Sequence, residues 1–268
     1  MHNFISINGQ IQERTDLRIP VSSSAALFGK GIFTTIAIYK STPFLWEKHW
    51  RRLIDNAAVA DIDLSEHDAE SVAEKLRELI VKNSIVNGRA RITFFDESES
   101  PIWSESSERK TALSIITNDL RPIPKEFKLT VSPYLVNSTS PLAGVKSCNY
   151  LENILAMDEA KARGFHEAVR VNERGEITSG CMSNVFWLKA GKLYTPSLET
   201  GCLAGTMREF VMDNLECEEV NEDSKALDTA DEMFLTSAGI GLVQVSEFDG
   251  RKLEKRQNPI LNLLPFKN

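Results

Sequence analysis

Residues 142–150 read Leu-Ala-Gly-Val-Lys-Ser-Cys-Asn-Tyr and carry Lys146 at their centre. The small residues Ala143 and Gly144 form an irregular approach, and the pattern after it predicts a helix over 149–163. Leu151, Ile154 and Leu155 fall on one face of that helix, and Gly164 closes it as a C-cap does. A lysine on a short connection against an apolar helix is partly desolvated, which lowers its pKa and makes its amine a usable nucleophile or base. Most lysines are solvated and do no chemistry. The sequence around Lys146 therefore decides the matter.

Downstream, residues 167–171 and 177–188 read as strands on either side of the turn Asn172-Glu173-Arg174-Gly175. Residues 202–208, Cys-Leu-Ala-Gly-Thr-Met-Arg, lead into a helix with Met207, Phe210, Val211 and Leu215 inward. A glycine at a helix start leaves free N–H groups facing an anion, reinforced by the helix dipole. A strand over 229–236 ends in Ser237-Ala238-Gly239-Ile240-Gly241. The C-terminal Leu261, Leu263 and Leu264 read as a packing segment.

Upstream, residues 4–11 alternate around Asn8-Gly9, a pair that closes two-residue hairpins. Residues 18–21 read as a short strand, and 32–39, rich in β-branched and aromatic residues, as a longer one. Thr34 and Thr35 face opposite sides of that strand, so only one points toward any site. Helices are expected over 47–60 and 65–82, the second capped by Ser65 with Val72, Leu76, Leu79 and Ile80 buried. Strands over 90–95 and 111–117 flank an acidic, polar stretch from Asp96 to Glu108, read as a solvated mobile loop. Arg121-Pro122-Ile123-Pro124 stiffens an extended crossing and marks the domain boundary.

The bulk numbers exclude several classes. A net charge of -7 over 268 residues argues against a nucleic-acid binder, and 42% hydrophobic with 26% charged residues is the ordinary globular range. No apolar run approaches the ~20 residues needed to cross a bilayer, and no signal peptide is evident. Cys148, Cys181, Cys202 and Cys217 show neither C-x-x-C spacing nor histidine partners, so a cytoplasmic protein with reduced thiols and no metal site is expected.

The Lys146 segment resembles the cofactor-carrying lysine segment of the class-IV aminotransferases. That family of pyridoxal 5'-phosphate enzymes includes branched-chain and D-amino-acid aminotransferases and 4-amino-4-deoxychorismate lyase. Further matches follow in register: Gly29-Lys30-Gly31-Ile32-Phe33-Thr34-Thr35, His49-Trp50-Arg51-Arg52-Leu53, residues 177–187, Gly205-Thr206-Met207-Arg208 and Asp231-Glu232-Met233-Phe234-Leu235. The resemblance implies an α+β chain, mixed α/β in two domains, of the fold-type-IV, D-amino-acid-aminotransferase-like class. A small N-terminal α/β domain (1–119) and a linker (120–125) would precede a larger C-terminal pyridoxal-phosphate-binding domain (126–268) on a β-barrel-like core.

It also implies roles. Lys146 would hold the cofactor covalently and move protons at the substrate, with Thr34 or Thr35 taking part in catalysis. Arg52 would grip the phosphate through two parallel hydrogen bonds, with the Thr206 and Met207 amides and the turn at Ala238 beside it. Tyr150 would touch the cofactor's phenolate, and Phe33, Gly239 and Ile240 would meet an amino-acid-like substrate. A homodimer is implied as well.

Two positions depart from the pattern. Asp96-Glu97 stands where family members place an arginine-glycine pair, which removes a cation used on substrate carboxylates. Ser179 stands where they place the glutamate that pairs with the cofactor's pyridine nitrogen; serine cannot hold a proton there by charge. Glu176 is expected on the opposite face of its strand, since no bulge is anticipated. Phe33-Thr34-Thr35, Leu142-Ala143-Gly144, Asn184-Val185-Phe186-Trp187 and Ala238 lean toward the lyase. The alternatives are an amino-acid transaminase and a cofactor-binding member weakened by Ser179.

Overall fold

The computed structural model describes residues 1–16, 19–100, 102–103 and 109–264. Two compact units emerge, Met1–Arg121 with Val145–Asn149, and Pro122–Gly144 with Tyr150–Asn268. The Lys146 segment packs with the first unit, whereas the sequence expectation put it in the C-terminal domain.

In the first unit, β1 (Phe4–Ile7) and β2 (Gln10–Glu13) form the expected hairpin, with Asn8 and Gly9 both at positive φ. Then come α1 (Ser24–Phe28), β3 (Gly31–Tyr39), β4 (Thr42–Pro43), α2 (Trp46–Ala60), α3 (Ala69–Lys82), β5 (Gly88–Asp96) and β6 (Thr111–Asn118). The strands pair in the antiparallel order β2-β1-β6-β5-β3-β4.

Alternation sorts the residues of this sheet. Ile32, Ile36 and Ile38 of β3 and Ile92 and Phe94 of β5 pack with Leu53, Leu76 and Leu79 of the helices. Each such buried side chain stabilises by about 1.5–3 kcal/mol. The other face carries Phe33, Thr35, Arg91 and Thr93, which adjoin through the register Phe33↔Thr93 and Thr35↔Arg91.

Three local expectations are corrected. Helix α3 starts later than expected, because the Asp68 carboxylate caps it by accepting from Ser71 N at 2.9 Å, while Ser65 N donates to Asp63. Residues 19–21 form no strand, and 17–18 lie outside the described residues. The acidic stretch is anchored rather than solvated as far as Ser100. Asp96 pairs with Lys30 at 3.0 Å, Glu97 with Lys110 at 3.0 Å, and Ser100 is fully buried. Positions 101 and 104–108 of that stretch lie outside the described residues.

The second unit holds β7 (Lys128–Val131), α4 (Leu151–Ala162), β8 (Glu167–Val171), β9 (Ile177–Gly180), β10 (Asn184–Lys189) and β11 (Lys192–Pro196). After these come α5 (Thr206–Asn214), β12 (Glu218–Val220), β13 (Glu232–Ser237), β14 (Gly241–Gln244), β15 (Glu247–Phe248) and β16 (Arg251–Lys252). Its core lies between two five-stranded sheets, β12-β11-β10-β13-β14 and β16-β15-β7-β8-β9. Leu129, Val169 and Ile177 of one sheet meet Trp187 and Met233 of the other.

The run 177–188 is two strands, not one. Buried Glu167 accepts from Met182 N at 2.8 Å and Ser183 Oγ at 2.7 Å, and so ties down the turn that separates them. In α4 the buried residues are Ala156, Met157 and Ala160. The stripe expected to face inward is open, with Leu151 68%, Ile154 43% and Leu155 52% exposed.

Candidate active site

The segment around Lys146 runs along the edge of β3. Phe33 N donates to Lys146 O at 2.9 Å, Cys148 N donates to Gly31 O at 2.8 Å, and Ile32 bridges Ser147. This pairing sets Lys146 opposite Phe33, with its Nζ 4.5 Å above the ring centroid. Gly31 is required here, because a Cβ would meet Phe94 O at 2.9 Å and Cys148 Sγ at 3.1 Å. Arg91 Cζ also lies 3.5 Å from the Phe33 centroid, so a guanidinium and the lysine amine share one aromatic ring.

Lys146 as a whole residue is half-buried, but its amine is enclosed. Burial pushes its pKa well below the usual 10.5, and Arg52 and then Arg91 push it further. The side chain is thereby made able to hold a free electron pair.

On the opposite face of β3 the fully buried Thr34 is locked in place. Arg52 Nη2 donates to Thr34 Oγ1 at 2.7 Å, and Thr34 Oγ1 lies 2.6 Å from His49 Nδ1. The hydroxyl keeps its hydrogen and a second lone pair, so it meets Nδ1 in either ring tautomer. Burial, then Arg52 and Lys146, hold His49 well below its usual pKa, consistent with a neutral ring. The Thr34/Thr35 choice is thus divided by the pleat. Thr35 shares the face of Phe33, Arg91 and Lys146, while Thr34 orients Arg52.

Replacing Thr34 with Val leaves Arg52 Nη2 and His49 Nδ1 facing a methyl group. The variant is expected to lose about 1–3 kcal/mol of stability, read from the denaturant midpoint. An unchanged midpoint would contradict this network.

In the second unit, Asn184 of β10 donates to Leu203 O at 2.8 Å, and a Cβ on Gly205 would strike its Oδ1. That contact fixes the turn before α5, whose first residues Thr206 and Met207 are buried. Arg208, also buried, donates to Pro196 O at 2.8 Å and pairs with Glu219, so it anchors the helix. Asn184 stands opposite Thr236 across the β10–β13 ladder, which brings the start of α5 and the 238–240 turn to the same end of the sheet. In that turn Gly239 N donates to Ser237 Oγ at 3.3 Å, and Ile240 is buried. Thr236 Oγ1, buried in the same corner, has no partner among the described residues.

Ser179 lies on β9, and Tyr150, half-buried, precedes α4. The ladder beside Ser179 contains the bulge that was not anticipated, since Val171 pairs with Ile177 but Arg170 with Ser179. Even so, Glu176 does not replace the missing carboxylate. Its Oε2 accepts from Arg174 Nη2 at 2.6 Å and Asn172 Nδ2 at 2.7 Å, within its own turn.

Two functional candidates were missed in the sequence. Arg91 was legible only as a charge at an alternate position of β5, and the strand register is what delivers it to Phe33. Arg170 reads as one of two charges, with Glu167, in a strand otherwise apolar. Among the described residues no His/Cys/Asp/Glu group could hold a metal ion. Within the first unit, an enclosed amine beside Arg52 and Arg91 fits a phosphorylated aldehyde such as pyridoxal phosphate.

The family model described as Amino-transferase class IV matches residues 31–248. Aminodeoxychorismate lyase of Bacillus subtilis (strain 168) is 29% identical over 259 residues, covering 91% of this chain and 86% of its own. A structure of a putative 4-amino-4-deoxychorismate lyase from Legionella pneumophila superposes with TM-score 0.84 at 25% identity, covering 93% of this chain and 94% of that one. Branched-chain aminotransferase from Thermoproteus uzoniensis superposes with TM-score 0.89 at 24% identity, covering 98% and 92%, and this likeness speaks to fold alone.

Proposed function

We propose that this chain, which belongs to the class IV aminotransferase family, applies its pyridoxal-phosphate chemistry to an elimination: release of pyruvate from aminodeoxychorismate to leave 4-aminobenzoate. Bound cofactor supplies an electrophilic aldehyde and a ring that withdraws electrons from the substrate's amine-bearing carbon. Lys146 would hold the cofactor, and its amine, when free, would take the proton from that carbon. The adjacent carbon–oxygen bond then breaks, the enolpyruvyl oxygen departs with the electron pair, and the ring becomes aromatic. Arg91, on the Lys146 face, grips a substrate carboxylate and supplies the cation missing at Asp96-Glu97. Thr35 offers its hydroxyl on the same face, and Phe33 gives the substrate an apolar wall. Gly239 and Ile240 contribute the backbone of their turn to it.

Arg52, oriented by Thr34 and His49, would hold the phosphate from the first unit; in the second, the Thr206 and Met207 amides and the turn at Ala238 are the anion-binding candidates. Tyr150 meets the phenolate oxygen. The observation that carries elimination over transamination is Ser179. A neutral side chain there weakens the electron sink, and an intermediate drained at once by a leaving group needs that sink least.

The test is incubation with aminodeoxychorismate and no added keto acid. Release of 4-aminobenzoate supports the reading. Rapid exchange between glutamate and a keto acid, without that product, would replace it by the transaminase reading.

A homodimer accompanies this reading, supported by the open apolar group Leu151, Ile154, Leu155, Tyr134 and Leu135 on the second unit. The chain mass is 30.0 kDa, and light scattering is expected to report twice that. Leu155→Glu, which sets a charge in the apolar patch, is expected to raise the dimer dissociation constant by roughly 10-fold or more; an unmoved constant removes this face as the interface. Among the described residues no helix is long and apolar enough to cross a membrane, and all four cysteines are free thiols, in keeping with a cytoplasmic site of action.

A further inference from the structure

Arg170 and Ser179 are direct partners across the antiparallel β8–β9 ladder, and partners in such a ladder project from the same face. The bulge lies immediately beside them. Thr178 is the extra residue, and its hydroxyl donates to Arg170 O at 3.0 Å, which holds the pair in register. Arg170 is 3% exposed. Its Nη2 donates to Leu135 O at 3.0 Å, and its nearest carboxylate, Glu152 at 3.5 Å, belongs to a side chain 78% exposed and so well screened. The Arg170 Nε–H meets no acceptor among the described residues. A buried guanidinium N–H without an acceptor is costly unless a ligand provides one.

A pyridine nitrogen has two forms. Protonated, it is a cationic donor that suits a carboxylate; unprotonated, it is a neutral acceptor. Arginine has five donors, no acceptor and a permanent charge, so it fits only the second form. Serine can meet either.

We propose that Arg170, acting beside Ser179, faces the ring nitrogen of bound pyridoxal phosphate and keeps it unprotonated. This rests on the cofactor reading above and deepens it. The chain then has more than a missing carboxylate, because the charge next to the ring nitrogen has changed sign. A like charge at that range lowers the nitrogen's proton affinity by roughly 1–3 pH units. The ring then withdraws electrons weakly, which confines the enzyme to substrates whose own leaving group takes the electron pair. Amines with a β leaving group, or a ring that becomes aromatic, satisfy that condition. Simple amino acids do not.

The holoenzyme is loaded with cofactor isotopically labelled at the ring nitrogen, and its NMR resonance is followed against pH. The expected result is a bound signal at the unprotonated position throughout the neutral range. R170L is expected to raise the pH of protonation by roughly 1–3 units, and S179E is expected to raise it too. R170K, which keeps the charge, is expected to retain the wild-type position, a distinction that a merely structural role for Arg170 would not produce. If R170L fails to fold, S179E and R170K carry the comparison. A wild-type signal at the protonated position, an R170L titration that does not move, or an R170K titration that shifts as far as R170L, would overturn the inference and leave the cofactor reading standing. Absence of any bound signal would overturn both.

Discussion

Lys146→Ala is expected to lower kcat/KM by roughly ten-thousand-fold, because on the proposed reading one amine both carries the cofactor and moves the substrate proton. The same substitution should make the cofactor-free protein more stable at neutral pH, by on the order of 1 kcal/mol. The sign follows from linkage. Burial, Arg52 and Arg91 lower the folded pKa from 10.5, so below 10.5 the unfolded chain holds the extra proton. Wild-type stability therefore rises with pH through the window from the lowered folded value up to 10.5, and the variant should lose that rise. Turnover assays and denaturant midpoints at several pH values read the two effects separately. A variant that kept activity, or lost stability at neutral pH, would mean that the amine is neither the reacting group nor strained by its surroundings.

Arg52→Ala is expected to weaken pyridoxal-phosphate binding by on the order of 100-fold, the loss of two charge-assisted hydrogen bonds to a phosphate. Titration of cofactor-free protein, followed by absorbance, gives the constant. Arg52→Lys should recover only part of it, since an ammonium keeps the charge but not the two-pronged geometry. Equal affinity in all three proteins would remove Arg52 from the phosphate site. Near-complete recovery by lysine would leave charge alone, without the fork, as its contribution.

Much of this could be read from one-dimensional pattern. β-Branched and aromatic content gave β3, the Asn8-Gly9 pair gave the first hairpin, and the resemblance of His49-Trp50-Arg51-Arg52-Leu53 to the class-IV aminotransferases singled out Arg52. What escaped is what depends on tertiary pairing. Thr34 and Thr35 could be assigned to opposite faces in the sequence, but which face holds Lys146 follows from the bridge Ile32↔Ser147, a contact more than a hundred residues long. Arg91 was hidden for the same reason, because only the β3–β5 register brings it to Phe33.

The 177–188 run was taken as one strand because nothing local reveals that the buried Glu167 would bind the turn at Met182 and Ser183. The stripe on α4 carries a different lesson. Apolar periodicity marks a face that will be covered, and within a single chain Leu151, Ile154 and Leu155 remain open. Asp96 and Glu97 were misjudged as solvated because their partners, Lys30 and Lys110, come from other segments.

The most direct test of the account is to reduce the purified holoenzyme with borohydride, digest it, and locate the pyridoxyl group by mass spectrometry. The expected result is a single modified peptide bearing the group on Lys146. A group found on any other lysine, or none under conditions that saturate the protein with cofactor, would contradict it.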